Sequence, residues 1–204
     1  MTRLLLIRHG EVEGIDPPIF RGRMDLPLTR RGVLQAQATA EHLAGRTALG
    51  TVYCSPLSRC VRTADILCER FQTAAITHPE LNDISYGAWS GLSINQVRAK
   101  WPEELMVWLT SPQLTRIPGG ESLQELAARV AEALAGVLRK HLHGTLVLVT
   151  HDSVIRVLLC HALGLPLSSY WTLSPSPCGI TRLAYVDQHF TLDSFNETQQ
   201  LTDL

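Results

Sequence analysis

Residues 145–163 read TLVLVTHDSVIRVLLCHAL, and this stretch decides the fold. Residues 145–150 are an apolar run too short for a helix and rich in β-branched side chains, so they read as a buried strand. Residues 153–163 follow directly and predict a helix lying against that strand. A strand running straight into a helix is the half-unit of a parallel sheet with crossover connections. The unit recurs upstream. Residues 3–8 (RLLLIR) predict a strand. After a Gly- and Pro-containing loop comes a helix over 29–44, capped by Thr29, with Val33, Ala36, Ala40 and Leu43 on one face. Residues 51–54 (TVYC) predict a second strand, and Ser55-Pro56 the cap and first position of a helix carrying Val61, Ala64, Cys68 and Phe71.

The remainder fits the same scheme. Residues 74–77 form a weak third strand, and Ser122 with Glu125 makes a capping box at the head of the clearest amphipathic helix. Residues 180–186 and 190–195 read as closing strands. Between the third strand and the helix opened by Ser122, about 81–120 reads as loops and short helices beside the sheet, holding Trp89, Trp101 and Trp108 as packing residues of the core or a lid. The expectation is one α/β domain over 1–204, a three-layer sandwich with a mostly parallel central sheet flanked by helices. Its ligand pocket should lie at the C-terminal ends of the strands.

Composition narrows the function. With 204 residues, 45% of them apolar, the chain can bury an adequate core without disulfides or structural metal. A net charge of -1 argues against nucleic acid as a partner. The apolar runs are too short for a membrane span or a signal peptide. Five cysteines without a CxxC pair read as core thiols, and the expected location is the cytoplasm.

Three strand ends carry the chemistry. Arg8-His9-Gly10 follows the first strand, Ser55 to Arg59 with Arg62 one turn on follows the second, and His151-Asp152-Ser153 follows residues 145–150. Two of these ends lead into helix N-termini, where backbone N–H groups favour an anion. Two histidines and two arginines converging there make a cationic pocket suited to a phosphoryl group.

These residues carry a resemblance. Arg8-His9-Gly10-Glu11 resembles the signature of the histidine phosphatase superfamily, the phosphoglycerate mutase-like family. Residues 25–29 (DLPLT), 55–59 (SPLSR), 87–91 (GAWSG), 118–122 (PGGES) and 149–151 (VTH) with Ile155-Arg156 are similar to its further motifs, in the family's order. The sequence looks most like the bacterial branch of alpha-ribazole and broad-specificity phosphatases. The resemblance implies a metal-independent phosphomonoesterase acting on a small phosphorylated metabolite through a phosphohistidine, with no cofactor. His9 would be the nucleophile, with one ring nitrogen held by a backbone carbonyl. Arg8, Arg59 and His151 would surround the phosphoryl oxygens. Arg21 and Gly22 would join them in binding substrate from the loop over 11–23, whose Ile15, Ile19 and Phe20 give it an apolar wall.

The family's proton donor falls on Asp83, where Glu is usual, so reach to the leaving oxygen is the point at issue. Glu11, Glu13 and Glu121 are the other acids near pocket motifs. Asp152 stands where many members have Gly, and would either repel an anion or orient His151. The alternatives are phosphoglycerate mutase-type transfer and a catalytically silent protein that binds a phosphorylated ligand. An exposed apolar patch within 81–120 would support a homodimer.

Overall fold

The computed structural model describes residues 1–13, 18–202 and 204. A six-stranded sheet forms its centre, in the order β3-β2-β4-β1-β5-β6. The strands are β1 (Thr2–Arg8), β2 (Thr51–Cys54), β3 (Ala75–Thr77), β4 (Gly144–Thr150), β5 (Ile180–Val186) and β6 (His189–Glu197). The first four are mutually parallel, and β5 and β6 add antiparallel at one edge, so the sheet is mixed but mostly parallel. No helix among the described residues is long and apolar enough to cross a membrane. All five cysteines are free and buried.

Side-chain alternation along the strands divides the core. Leu4 and Leu6 of β1, with Leu146 and Leu148 of β4, pack into one layer with α5 (Leu123–Lys140) and α6 (Asp152–Leu163). Leu5, Ile7, Val147 and Val149 point the other way, onto α1 (Arg30–Leu43) and α2 (Ser58–Phe71). Continuous apolar runs are needed because both faces of these strands are covered. Each fully buried aliphatic side chain contributes about 1.5–3 kcal/mol relative to exposure. The segment between β3 and α5 holds α3 (Ile94–Lys100), α4 (Pro102–Thr110) and three short 3-10 turns. It covers the first layer with Trp89 and Trp108, both almost wholly buried.

Helix caps follow the sequence at two places and depart from it at a third. Thr29 Oγ1 accepts from the Gly32 N–H at 3.0 Å, and Ser122 and Glu125 form the reciprocal box that opens α5. The cap expected from Ser55 is not made. Helix α2 begins three residues later, at Ser58, and the Ser58 N–H donates to Asp25 Oδ1 at 2.8 Å. Ser55 Oγ instead lies 2.8 Å from His151 Nε2, because the parallel strands bring the ends of β2 and β4 side by side.

Candidate active site

The register of the sheet assembles the site. Arg8 lies opposite Thr150, and Cys54 opposite Val149, so the chain leaves β1, β2 and β4 at one level. The ladder persists one residue further, with His9 N–H donating to Thr150 O (2.9 Å) and Ser55 N–H to Val149 O (3.0 Å). Gly10 allows the exit of β1 to press on α1, since a Cβ there would stand 2.4 Å from the Gly32 carbonyl oxygen. The Gly10 N–H donates to Thr63 Oγ1, whose hydroxyl donates to Arg59 O at 2.7 Å. These bonds bring the β1 exit onto the turn of α2 that carries Arg59.

His9 is buried, and its Nδ1 lies 2.7 Å from the Gly10 carbonyl oxygen. A carbonyl can only accept, so Nδ1 carries the hydrogen and Nε2 a lone pair. Nε2 accepts from Arg59 Nε at 3.2 Å. Burial, Arg8 and Arg59 hold the imidazole well below its usual range, so the ring is neutral. The His151 ring stands edge-on at 5.2 Å and is likewise held low by burial, Arg59 and His9. Arg59 is fully buried, and its other nitrogens donate to Met24 O (2.6 Å) and Gly22 O (2.7 Å). Gly22 adopts φ +47°, and a Cβ there would meet the Ile84 carbonyl oxygen, so this carbonyl position calls for glycine.

Asp83 joins the cluster from the segment after β3. Its Oδ1 accepts from the Ile84 N–H (2.9 Å) and from the Ser153 hydroxyl. Its Oδ2 lies 3.3 Å from Arg59 and 3.6 Å from His151 Nδ1. Burial and the charge of Asp152 push the Asp83 carboxyl up to about 6, although Arg59 opposes them. Asp152 behaves oppositely: burial would raise it, but Arg8, Arg156 and Arg21 hold it down at about 2. Its Oδ2 is 4.0 Å from Arg8, and its Oδ1 accepts from the Ser153 N–H. The helix ends expected to face an anion therefore meet carboxylates of this chain, Asp25 at α2 and Asp152 at α6.

A cavity of about 240 Å³ opens over this cluster. Arg8, Arg21, Gly22, Asp83 and Asp152 line its charged end. His9, Arg59 and His151 do not line it. They are buried against Asp83 and one another. Arg8 donates to Pro175 O at 2.9 Å, while its buried Nε has no hydrogen-bond partner. Residues 18–22 supply one wall, held by paired backbone bonds between Phe20 and residues 91 and 92. Ile15 lies outside the described residues.

The remaining residues from the sequence reading divide clearly. Arg62 points to solvent and pairs with Glu69. Glu11 is engaged by Thr29 and Arg31, and Glu13 is exposed. Trp89 is core, whereas Trp108 both packs in the core and lines the cavity.

Sequence reasoning placed Ser153 at a strand end without a role of its own, and missed Trp171 and Arg129. Arg129, on α5, binds both oxygens of Glu121 (2.6 and 3.0 Å) and donates to the carbonyls of Glu80, Asn82 and Asp83. Arg23 adds a bond to Asp83 O at 3.0 Å. A charge placed toward the N-terminal half of an amphipathic helix was the available signal, but it does not reveal partners nearly fifty residues away. Arg129→Ala would leave Glu121, only 11% exposed, with only the Arg23 guanidinium at 3.5 Å and would free the carbonyls of Glu80 and Asn82. We expect a loss of about 3 kcal/mol, read by urea unfolding at fixed pH. A change within ~0.5 kcal/mol would deny the clamp its importance.

Fold and site together define an α/β protein with a cavity at its strand ends, lined by Arg8 and Arg21 and backed by the buried cluster of His9, Arg59 and His151. Residues 4–198 match the family model described as histidine phosphatase superfamily (branch 1), and the chain belongs to that superfamily. It is 34% identical over 172 residues to phosphoserine phosphatase 1 of Hydrogenobacter thermophilus, covering 84% of this chain and 81% of that one. It is 29% identical over 169 residues to the adenosylcobalamin/alpha-ribazole phosphatase of Escherichia coli, covering 83% of each. The structure of an Entamoeba histolytica phosphoserine phosphatase in complex with 3-phosphoglyceric acid superposes with a TM-score of 0.89 at 26% identity, covering 98% of this chain and all of that one.

Proposed function

We propose that this chain, as one domain, hydrolyses small phosphate monoesters through a phosphohistidine formed on His9. It is a small-metabolite phosphatase of the histidine phosphatase superfamily. The observation that carries the route is the His9 ring: neutral, with Nδ1 tied to Gly10 and a lone pair on Nε2 beside a buried guanidinium.

In this reading the phosphoryl group enters from the charged end of the cavity. It takes over the donors of Arg59, the partnerless Nε of Arg8 and the ring of His151. These donors stabilise the charge that spreads over the phosphoryl oxygens in the transition state. Arg21 and Gly22 bound the same end of the cavity and contribute to substrate binding. Nε2 of His9 attacks phosphorus, the ester P–O bond breaks, and the leaving alkoxide takes a proton from Asp83. Oδ1 of Asp83 is already occupied by Ile84 and Ser153, so the transferable proton sits on Oδ2. Water then attacks the phosphohistidine, giving its proton back to Asp83 and releasing phosphate and His9. Two displacements through a histidine need no metal to activate the nucleophile.

We assign the protein to the cytoplasm, a reading supported by five buried, unpaired thiols. Met106 and Leu114, exposed within 81–120, are where we assign the contact of a homodimer.

The test is phosphate release with a chelator present, from phosphoserine and a panel of sugar phosphates. Rapid quenching at alkaline pH should trap an acid-labile phosphoenzyme from labelled substrate. Chelator-sensitive release, or interconversion of phosphoglycerates without phosphate release, would overturn the hydrolytic route.

A further inference from the structure

The cavity has two chemically different ends. Beyond Arg8, Arg21, Asp83 and Asp152 its walls come from Ile19, Phe20, Tyr86, Trp108, Leu109 and Trp171, among others. Trp171 is the least expected of these, contributed by the 3-10 turn Leu167–Thr172. Its indole N–H donates to the Trp108 carbonyl at 2.8 Å, so the ring offers only carbon to a ligand. The ring is also fixed in place. It stands edge-to-face on Trp108 at 5.4 Å and on Tyr170 at 4.8 Å, with the Arg156 guanidinium 5.0 Å from its centre. Despite this anchoring Trp171 is 40% exposed, and Leu109 is 44% exposed. An anchored indole and a neighbouring leucine, both exposed on the wall of a cavity, are surface that a ligand would gain by covering.

We infer that the cavity selects phosphate esters whose alcohol part is flat and apolar, seated against Trp171, Leu109 and Phe20 while the phosphoryl group meets Arg8 and Asp83. The inference rests on the phosphomonoesterase reading and specifies its substrate class. A densely hydroxylated or carboxylated alcohol would set its polar groups against carbon on this wall and leave them without partners. An aromatic ring would instead find edge-to-face partners already arranged.

The test compares 2-phenylethyl phosphate with ethyl phosphate and phosphoserine. The leaving alcohols of the first two are similarly basic, so their difference reads the ring's binding rather than its departure. We expect kcat/KM for 2-phenylethyl phosphate to exceed that for ethyl phosphate by at least ~10-fold and to exceed that for phosphoserine as well. Trp171→Ala and, independently, Leu109→Asn should collapse the phenylethyl-to-ethyl ratio to within about twofold, whereas Trp171→Phe should preserve most of it. Leu109 is exposed, so its substitution reads the wall even where loss of the indole disturbs folding. A ratio near one in the wild type, a preference for phosphoserine, or a ratio untouched by both Trp171→Ala and Leu109→Asn would overturn the inference. Hydrolysis of none of the three esters would overturn the phosphomonoesterase reading itself.

Discussion

His9→Ala should remove phosphate release altogether, by on the order of 10⁴-fold or more, and with it the trapped phosphoenzyme. The size of the loss follows from the surroundings of the ring. Among the described residues no second nucleophile stands ready to replace it. The Ser55 hydroxyl is engaged with His151, and burial pushes the Cys60 thiol well above its usual range, so it is not a thiolate. Arg59 would lose the acceptor for its Nε but keep its bonds to Met24 and Gly22, so the cationic cluster persists. The variant should therefore still bind orthovanadate or inorganic phosphate. Its thermal unfolding, followed alongside, separates loss of chemistry from loss of fold, since one unpaired buried donor costs about 1–3 kcal/mol. Retained turnover in a folded His9→Ala protein would end the phosphohistidine route.

The parts of this site that were legible in the sequence are those fixed by short-range pattern. Runs such as residues 3–8 and 145–150 are too short and too apolar to be anything but buried strands, and the residue after a parallel strand has few places to go. That is why the sequence alone gathers His9, Arg59 and His151 at one edge of the sheet. What stayed hidden depends on contacts distant in sequence. The head of α2 is capped by Asp25 and not by the adjacent Ser55, because Ser55 is drawn to His151 across the sheet. Arg129 reaches back to residues 80–83, and Trp171 reaches Trp108, with no local signature for either contact. Strands β5 and β6 carry the same alternation whether they run parallel or antiparallel, so the pattern left their direction open.

Asp83→Asn should separate esters by how badly their leaving group needs a proton. Asn keeps the shape, and its carbonyl can still accept from Ile84 and Ser153, but it has no acidic proton to give. For alkyl esters such as phosphoserine, kcat should fall about 10²–10³-fold. For p-nitrophenyl phosphate, whose phenolate departs unaided, the fall should stay under about tenfold. Asp83 lines the charged end of the cavity, where a proton donor would have to stand. The pH profile gives the sign. Asp83 acts when protonated, and burial together with the Asp152 charge raises its carboxyl to about 6. Alkyl-ester turnover should therefore hold level below pH about 6 as far as this group is concerned, and decline above it. The decline should be absent in Asp83→Asn. Asp152→Asn removes the neighbouring negative charge, so Asp83 should ionise more easily and the decline should begin at lower pH. An alkaline limb that survives Asp83→Asn unchanged, or equal losses for alkyl and aryl esters, would take the proton donor's role away from Asp83.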